Sequence, residues 1–344
     1  MKRIFFLLLA FCLLVSGCSL PAKEEEKQYT ATFLDLFDTV TTIIGRGESE
    51  ESFREKAQAV HDDLQYYHRL FDIYNDYEGV ANLKTVNDNA GVQPVKVDKA
   101  IIELLTDCKA YYLLTEGKVN VAMGSVLALW HDARTDGIRD PQNAKLPAME
   151  KLQEAALHTD IESIQIDEEA STVYITDPKV QLDVGAIAKG WATQKAAEKA
   201  PAGLLISVGG NVCATGPKLQ DGTPWVIGIQ DPEENDKNLH TMYLKEGSVV
   251  TSGDYQRTYW VDGTAYHHII DPETLMPAEG FVSVSVICGD SGMGDALSTA
   301  LFCMSAEEGL ALVESIPDTE AMWVRADGTK NVSSGWNGYL KNQR

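Results

Sequence analysis

Basic residues are scarce in this chain. Only 29 Lys and Arg stand against 51 Asp and Glu, for a formal net charge of −22. No basic patch is evident, which argues against a nucleic-acid partner. The same balance opposes anionic ligands unless a cation or backbone donors act locally. Long charge runs are also few beyond Glu24–Glu26, so the acidic excess is spread over a solvated surface. The six cysteines show no CxxC spacing and no nearby paired His, which disfavours a zinc site. Cys108, Cys213, Cys288 and Cys303 sit in apolar contexts, either paired or as small buried hydrophobes. No internal repeat is evident, and no apolar run is long enough to span a bilayer as a mature helix.

The longest apolar run, Ile4 to Val15, follows Lys2 and Arg3 and ends at Ser16-Gly17-Cys18. A charged start, an apolar middle and small residues before a cysteine resemble a bacterial lipoprotein signal. Residues 1–17 are therefore expected to be removed and Cys18 to be lipidated. Residues 18–30 are expected to form a tether. The mature chain would then be exported and held by lipid at the outer face of the cell membrane or in the periplasm. Residues 31–344 form the expected folded domain, long enough for a full core.

Within it, the spacing predicts extended structure over 33–45 and an amphipathic helix over 48–74. A loop follows over 75–97, then a helix capped by Asp98 and stopped by Gly117. Residues 120–130 follow. Residues 132–145 read as polar and turn-rich, 147–158 as a short helix. Three consecutive strands are expected at 164–166, 173–175 and 180–182, then a helix over 186–200. Strands at 204–208, 225–229, 242–244, 249–251, 258–261, 265–270, 283–287 and 322–325 follow, with one helix over 294–316. This is an α+β pattern, mostly antiparallel with several long helices. A two-lobed arrangement with the site between the lobes is expected.

The central stretch is Asp183-Val184-Gly185-Ala186-Ile187-Ala188-Lys189-Gly190. It joins a strand-like run to a helix. Such turns can present backbone N–H groups to a phosphate, with Lys189 adding charge. By itself it reads better as a tight turn with a surface lysine, and it gains meaning only from the rest of the chain. Asp295 and Thr299 lie four apart on one helix face, a spacing that suits a hard cation such as Mg²⁺. The segment Tyr266-His267-His268-Ile269-Ile270-Asp271-Pro272 puts two His on opposite strand faces, so one of them can serve as a base. Thr251 to Arg257 adds hydroxyls and a guanidinium.

Taken in order, Asp183–Gly190, Ser207–Asn211, Thr251–Arg257, His267–Pro272 and Asp295–Thr299 resemble the FAD:protein FMN transferases, the ApbE-type flavin transferases. The resemblance covers about the whole mature chain. It implies Mg²⁺ held by the Ala186 carbonyl, Asp295 and Thr299. It implies FAD contacts from Tyr74, Lys118, Val119, Asn120, Asp183, Lys189, Ile269 and Ile270. His268 matches the proposed base, and Lys189 is expected to assist catalysis. Two departures stand out. Phe37-Asp38-Thr39 replaces a frequent Met-Gly-Thr, and Glu273 to Pro277 replaces a Thr-Gly after Asp271-Pro272.

The implied reaction moves FMN from FAD to a Ser or Thr hydroxyl of an exported acceptor and releases AMP. The family's acceptor motif is Ser/Thr-Gly-Ala-Ser/Thr. This chain has Ser-Gly at 16, 252, 291 and 334, and Ala follows none of them. It is thus expected to be the modifying enzyme. Two alternatives share the sequence features: an FAD pyrophosphatase, with water as the nucleophile, and a non-catalytic flavin- or solute-binding lipoprotein.

Overall fold

A computed structural model describes residues 27–234, 237–255 and 257–341. The expected signal segment, Cys18 and Gln256 lie outside the described residues. The chain begins with a hairpin, β1 (Lys27–Leu36) and β2 (Thr39–Gly47), then α1 (Glu50–Phe71), α2 (Leu83–Asp88), β3 (Val95–Lys96) and α3 (Lys99–Leu114). Next come α4 (Gly124–Arg139), α5 (Met149–Ala156), β4 (Ile164–Asp167), β5 (Thr172–Ile175), α6 (Ala188–Lys199), β6 (Leu204–Val208) and β7 (Asn211–Ala214). β8 (Trp225–Gln230), β9 (Asn238–Leu244), β10 (Gly247–Gly253), β11 (Tyr259–Val261), β12 (Thr264–Tyr266) and β13 (Ser283–Cys288) follow. The chain closes with α7 (Ser291–Phe302), α8 (Ala306–Ser315), β14 (Glu320–Val324) and β15 (Lys330–Val332).

Eight strands form one antiparallel sheet in the order β1-β2-β6-β7-β10-β13-β14-β15. Period-two alternation gives its two faces different partners. On one face Ile43, Ile206, Val208 and Cys213 join the core with α1, α3 and α6. Val284, Val286, Ala321 and Trp323 continue that layer under α7 and α8. On the other face Leu205, Ala214, Val249, Ile287 and Met322 pack against Trp225, Ile227 and Ile229 of the β8–β9 ribbon. β13 is therefore buried at every position. A second, smaller body has its own core, with Val126 and Trp130 of α4, Leu152 of α5, Tyr259 and Val261 of β11, and Ile270 and Leu275. The two-lobed α+β expectation takes this form.

Several boundaries differ from the sequence reading. β1 starts at Lys27, and Lys27 to Thr30 pair with Gly47 to Ile44, so residues 27–30 belong to the sheet and not to a tether. The 75–97 stretch holds α2, a six-residue helix set by a capping box between Asn82 and Thr85. The polar 132–139 segment is helical, because α4 runs on to Arg139 with Gly137 packed against the Tyr259 ring. Its exposed face is polar, which hides the periodicity. The helix expected over 294–316 is two helices. Ser305 and Glu308 form a capping box that starts α8 afresh after Cys303. Residues 180, 182 and 184 are buried in alternation as expected, yet the run carries one bridge, Gln181 to Met123, in place of a ladder. Among the described residues, no helix is long and apolar enough to cross a membrane.

Candidate functional site

A cleft of about 570 Å³ runs between the large sheet-and-helix body and the smaller α4–α5–β11–β12 body. That is within the usual range for a small-molecule site. Every site residue expected from the sequence and lying among the described residues lines it: Tyr74, Lys118, Val119, Asn120, Asp183, Ala186, Lys189, His268, Ile269, Ile270, Asp295 and Thr299. Four carboxylates (Asp38, Asp72, Asp183, Asp295) and four cations (Lys118, Arg134, Lys189, Arg257) also face it. The lining is thus balanced inside a molecule of charge −22.

The 181–190 segment is held from both sides. Gly124 N–H donates to the Gln181 carbonyl at 2.9 Å, and Asp183 N–H to Val121 at 2.9 Å. Asn87 brackets Leu182, accepting its N–H at 2.7 Å and donating to its carbonyl at 3.0 Å. A side chain at position 124 would meet the Gln181 carbonyl at 2.5 Å, so only glycine lets α4 start against this run.

The turn that follows spends its amides internally. Gly185 N–H donates to Asp183 Oδ1 at 2.8 Å. Ile187 and Ala188 donate to the Val184 carbonyl at 2.9 and 2.8 Å. Gly190 N–H, which would close a helical turn onto Ala186, donates to Asp295 Oδ2 at 2.8 Å. The expected row of outward N–H groups for a phosphate is therefore not what this turn offers. It offers oxygens. Lys189 Nζ sits among them, 3.1 Å from the Gly185 carbonyl and 3.3 Å from Asp295 Oδ2.

Asp295 is only 3% exposed, and a carboxylate that far from water needs a cation or donors. The Gly190 amide and Lys189 meet part of that need. Thr299, one helical turn on, is half-buried at the same cleft. One carboxylate, one hydroxyl and one carbonyl suit a hard, oxygen-seeking divalent ion that keeps waters. Among the described residues, no group of three or more His, Cys, Asp or Glu side chains is set to hold a metal. The Ala186–Asp295–Thr299 set contains just one such side chain.

The two adjacent histidines have different environments. His267 has both ring nitrogens engaged, Nδ1 accepting from Ile269 N–H at 3.2 Å and Nε2 donating to the Ala278 carbonyl at 2.9 Å. Burial lowers its pKa, outweighing the carbonyl bond, so it is a neutral structural ring. His268 is half-buried and lines the cleft.

Lys118 is tied to Glu273 at 2.7 Å and Asp271 at 3.4 Å. Burial works against its charge, but these two carboxylates outweigh that and raise its pKa. The side chain of Asn120 is committed to structure, donating to the Thr159 carbonyl at 2.7 Å and accepting from Ala122 N–H at 2.9 Å. Val119, Ile269 and Ile270 are buried and give the cleft an apolar wall. Tyr74 is 56% exposed, its ring stacked on His131 with centroids 5.3 Å apart. The two departures from the family pattern sit at strained backbone. Asp38 has φ 52° and Leu275 φ 60°, where glycine is favoured. The Leu275 turn is fastened by its own N–H on Asp271 at 2.8 Å and by Trp130 Nε1 on its carbonyl at 2.9 Å.

The sequence reading missed Trp130, His131 and Arg134 of α4, and Tyr259 and Tyr266 of the hairpin, all of which line the cleft. Leu127, Trp130, His131 and Arg134 recur at i, i+3, i+4 and i+7, a helical face legible once α4 is extended. Asn211 lies within the Ser207–Asn211 block. It is 1% exposed, lines the cleft, and its Nδ2 has no hydrogen-bond partner among the described residues.

The comparisons with known proteins agree with this geometry. The FAD:protein FMN transferase of Treponema pallidum (strain Nichols) is 33% identical over 271 residues, covering 74% of this chain and 73% of the relative. That of Klebsiella pneumoniae (strain 342) is 31% identical over 280 residues, covering 76% and 82%. The crystal structure of the ApbE protein from Thermotoga maritima superposes with a TM-score of 0.80 at 30% identity, over 92% of this chain and all of that one. The flavin transferase ApbE from Vibrio cholerae shares the fold, with a TM-score of 0.74 at 22% identity over 92% of this chain and 100% of that one. A family profile described as the ApbE family matches residues 37–323, the span that holds the whole cleft, and this chain belongs to that family.

Proposed function

We propose that this chain is an FAD:protein FMN transferase, an enzyme that moves FMN from FAD to a hydroxyl of another protein. The observation that carries the reading is the joint of Asp295, Gly190 and Lys189 at a charge-balanced cleft in an otherwise acidic molecule. Relatives bearing that name cover most of the chain.

The reaction asks for positioning and charge neutralisation more than covalent chemistry. Ala186, Asp295 and Thr299 would hold Mg²⁺. When bound, that ion supplies Lewis-acid stabilisation of charge on phosphoryl oxygens. The chain's own groups do the rest. Lys189 brings a positive charge to the phosphates. Tyr74 offers a ring face to the cofactor. Val119, Ile269 and Ile270 exclude water from one wall. Asp183 fixes the Gly185 turn and Lys118 ties the Asp271 loop. His268 accepts the proton of the incoming Ser or Thr hydroxyl. The hydroxyl oxygen then bonds to the FMN-side phosphorus. The bond from that phosphorus to the bridging oxygen breaks, and AMP leaves with the electron pair. A general base of this kind contributes about 10²–10⁴ in rate.

The acceptor in this reading is an exported protein with a Ser/Thr-Gly-Ala-Ser/Thr motif. The enzyme itself is held at the membrane by lipid on Cys18. Palmitate labelling that is lost in Cys18→Ala tests the anchor.

Incubation with FAD, Mg²⁺ and an acceptor carrying that motif tests the activity. A fluorescent acceptor band on a denaturing gel, absent for Asp295→Ala, is the expected result. Free FMN and AMP with no labelled protein would assign hydrolysis instead, and binding without turnover would assign a solute-binding role.

A further inference from the structure

Two cations of the cleft have no assigned work. Arg134 comes from the third turn of α4 and Arg257 from the loop after β10. Both line the cleft. In a chain with 51 carboxylates, neither makes an ion pair within 4.0 Å among the described residues, whereas Lys118 and Lys189 both do. Arg134 is nonetheless oriented. Its Nη2 donates to His131 Nδ1 at 3.1 Å, and that ring is stacked on Tyr74. A guanidinium has five N–H groups, so most of its donors remain for a ligand.

The two guanidinium charges also act on one another. Burial and Arg257 both lower the pKa of Arg134, with Tyr74 and Asp183 opposing. Holding like charges together at a partly desolvated cleft costs energy that an anion between them would recover. A planar fork of donors matches phosphate oxygens better than an ammonium does. Asp183 meets this need only in part, because among the described residues it makes no ion pair within 4.0 Å with either arginine and it also lies in the field of Lys189.

We propose that Arg134 and Arg257 form a receptor for a nucleotide phosphate in this cleft, with Arg134 positioned by His131 and Tyr74. The proposal rests on the transferase reading for the source of that phosphate, either FMN or AMP. Inside FAD the two phosphates are joined as one pyrophosphate; as separate probes, FMN and AMP each present a phosphomonoester dianion beside an aromatic ring.

The test is equilibrium binding to the full chain, without acceptor and without turnover. FMN, AMP, riboflavin and adenosine are titrated against wild type, Arg134→Gln, Arg134→Lys and Arg257→Gln. Loss of a charge-assisted bond pair predicts about tenfold or greater weakening of one phosphate-bearing ligand. Its phosphate-free counterpart should bind unchanged, and Arg134→Lys should recover part of the loss. Weakening of FMN assigns the site to the flavin side, and weakening of AMP to the leaving group. Unchanged affinity for both, equal loss for the phosphate-free counterpart, or wild-type protein that binds neither nucleotide would overturn the proposal. Arg257 is exposed, so its variant keeps the test alive if Arg134→Gln fails to fold. A chain that binds through Arg134 yet labels no acceptor would defeat the transferase reading alone.

Discussion

The backbone N–H of Gly190 donates to Asp295 Oδ2 at 2.8 Å, joining the first turn of α6 to the first half of α7. One bond thus does two things. It takes Gly190 out of the hydrogen-bond ladder that would have covered the Ala186 carbonyl. It also fixes the carboxylate proposed to hold the metal.

Gly190→Ala should break this joint. A Cβ there would run into the Ser291 carbonyl and lie 2.6 Å from Asp295 Cβ, and backbone cannot step aside as a flexible side chain can. The gain in helix propensity, about 1 kcal/mol, is outweighed by overpacking of about 1–3 kcal/mol. The expected outcome is a lower melting temperature and transfer activity reduced by at least an order of magnitude. A variant as stable and active as the parent would show that α6 and α7 need not touch here.

Asp183→Asn should separate stability from function. Burial raises the Asp183 pKa, against the pull of the Gly185 N–H and the Arg257 and Lys189 charges. A carboxyl with a higher pKa when folded favours folding only while protonated. That contribution is complete below the unfolded value of about 3.9 and is lost as pH rises through the folded value. At neutral pH the ionised group therefore opposes folding. Asn keeps the acceptor for Gly185 and removes the charge. The variant should melt higher than wild type near pH 7–8, and the two should converge near pH 3. FAD binding should weaken, since the carboxylate at the position matching a family FAD contact is gone. Melting curves across pH that show no neutral-pH gain would refute this.

The four cysteines of the folded domain are free thiols, three buried and Cys303 partly exposed. Burial pushes the pKa of Cys213 up to about 11 and those of Cys288 and Cys303 up to about 12, and it raises Cys108 as well. The thiolate is the reactive form. Alkylation by iodoacetamide at pH 8 should therefore leave all four unmodified in the native protein and modify all four in denaturant. Mass spectrometry of tryptic peptides reads this directly. Rapid native labelling at Cys303 would show that its thiol is reached by solvent.

The sheet is largely readable because most of its strands are short runs of apolar and β-branched residues and most turns carry Gly, Asn or Asp. Short ordered blocks located the cleft, since residues that meet a ligand must be particular types at particular spacings. What escaped the sequence lacked a local signal. α2 is six residues long and exists because Asn82 and Thr85 cap it. The second half of α4 shows mostly polar residues, and its helical state depends on Gly137 meeting Tyr259. The turn at 185–188 looked like an anion seat because such turns usually have free amides. Here Asp183, Val184 and Asp295 use them, and the partner Asp295 lies more than a hundred residues away. Long-range hydrogen bonds of that kind decide whether a turn presents donors or acceptors.

The equal count of positive and negative groups along the cleft has a kinetic corollary. A dinucleotide anion meets a repelling far field from a body of charge −22 and is welcomed only at contact range. At about 0.01 M salt that repulsion reaches roughly 30 Å, and at 0.15 M about 8 Å. Adding simple salt should thus quicken the association of FAD with this protein, the reverse of what electrostatically steered pairs do. Stopped-flow capture at rising ionic strength would register it.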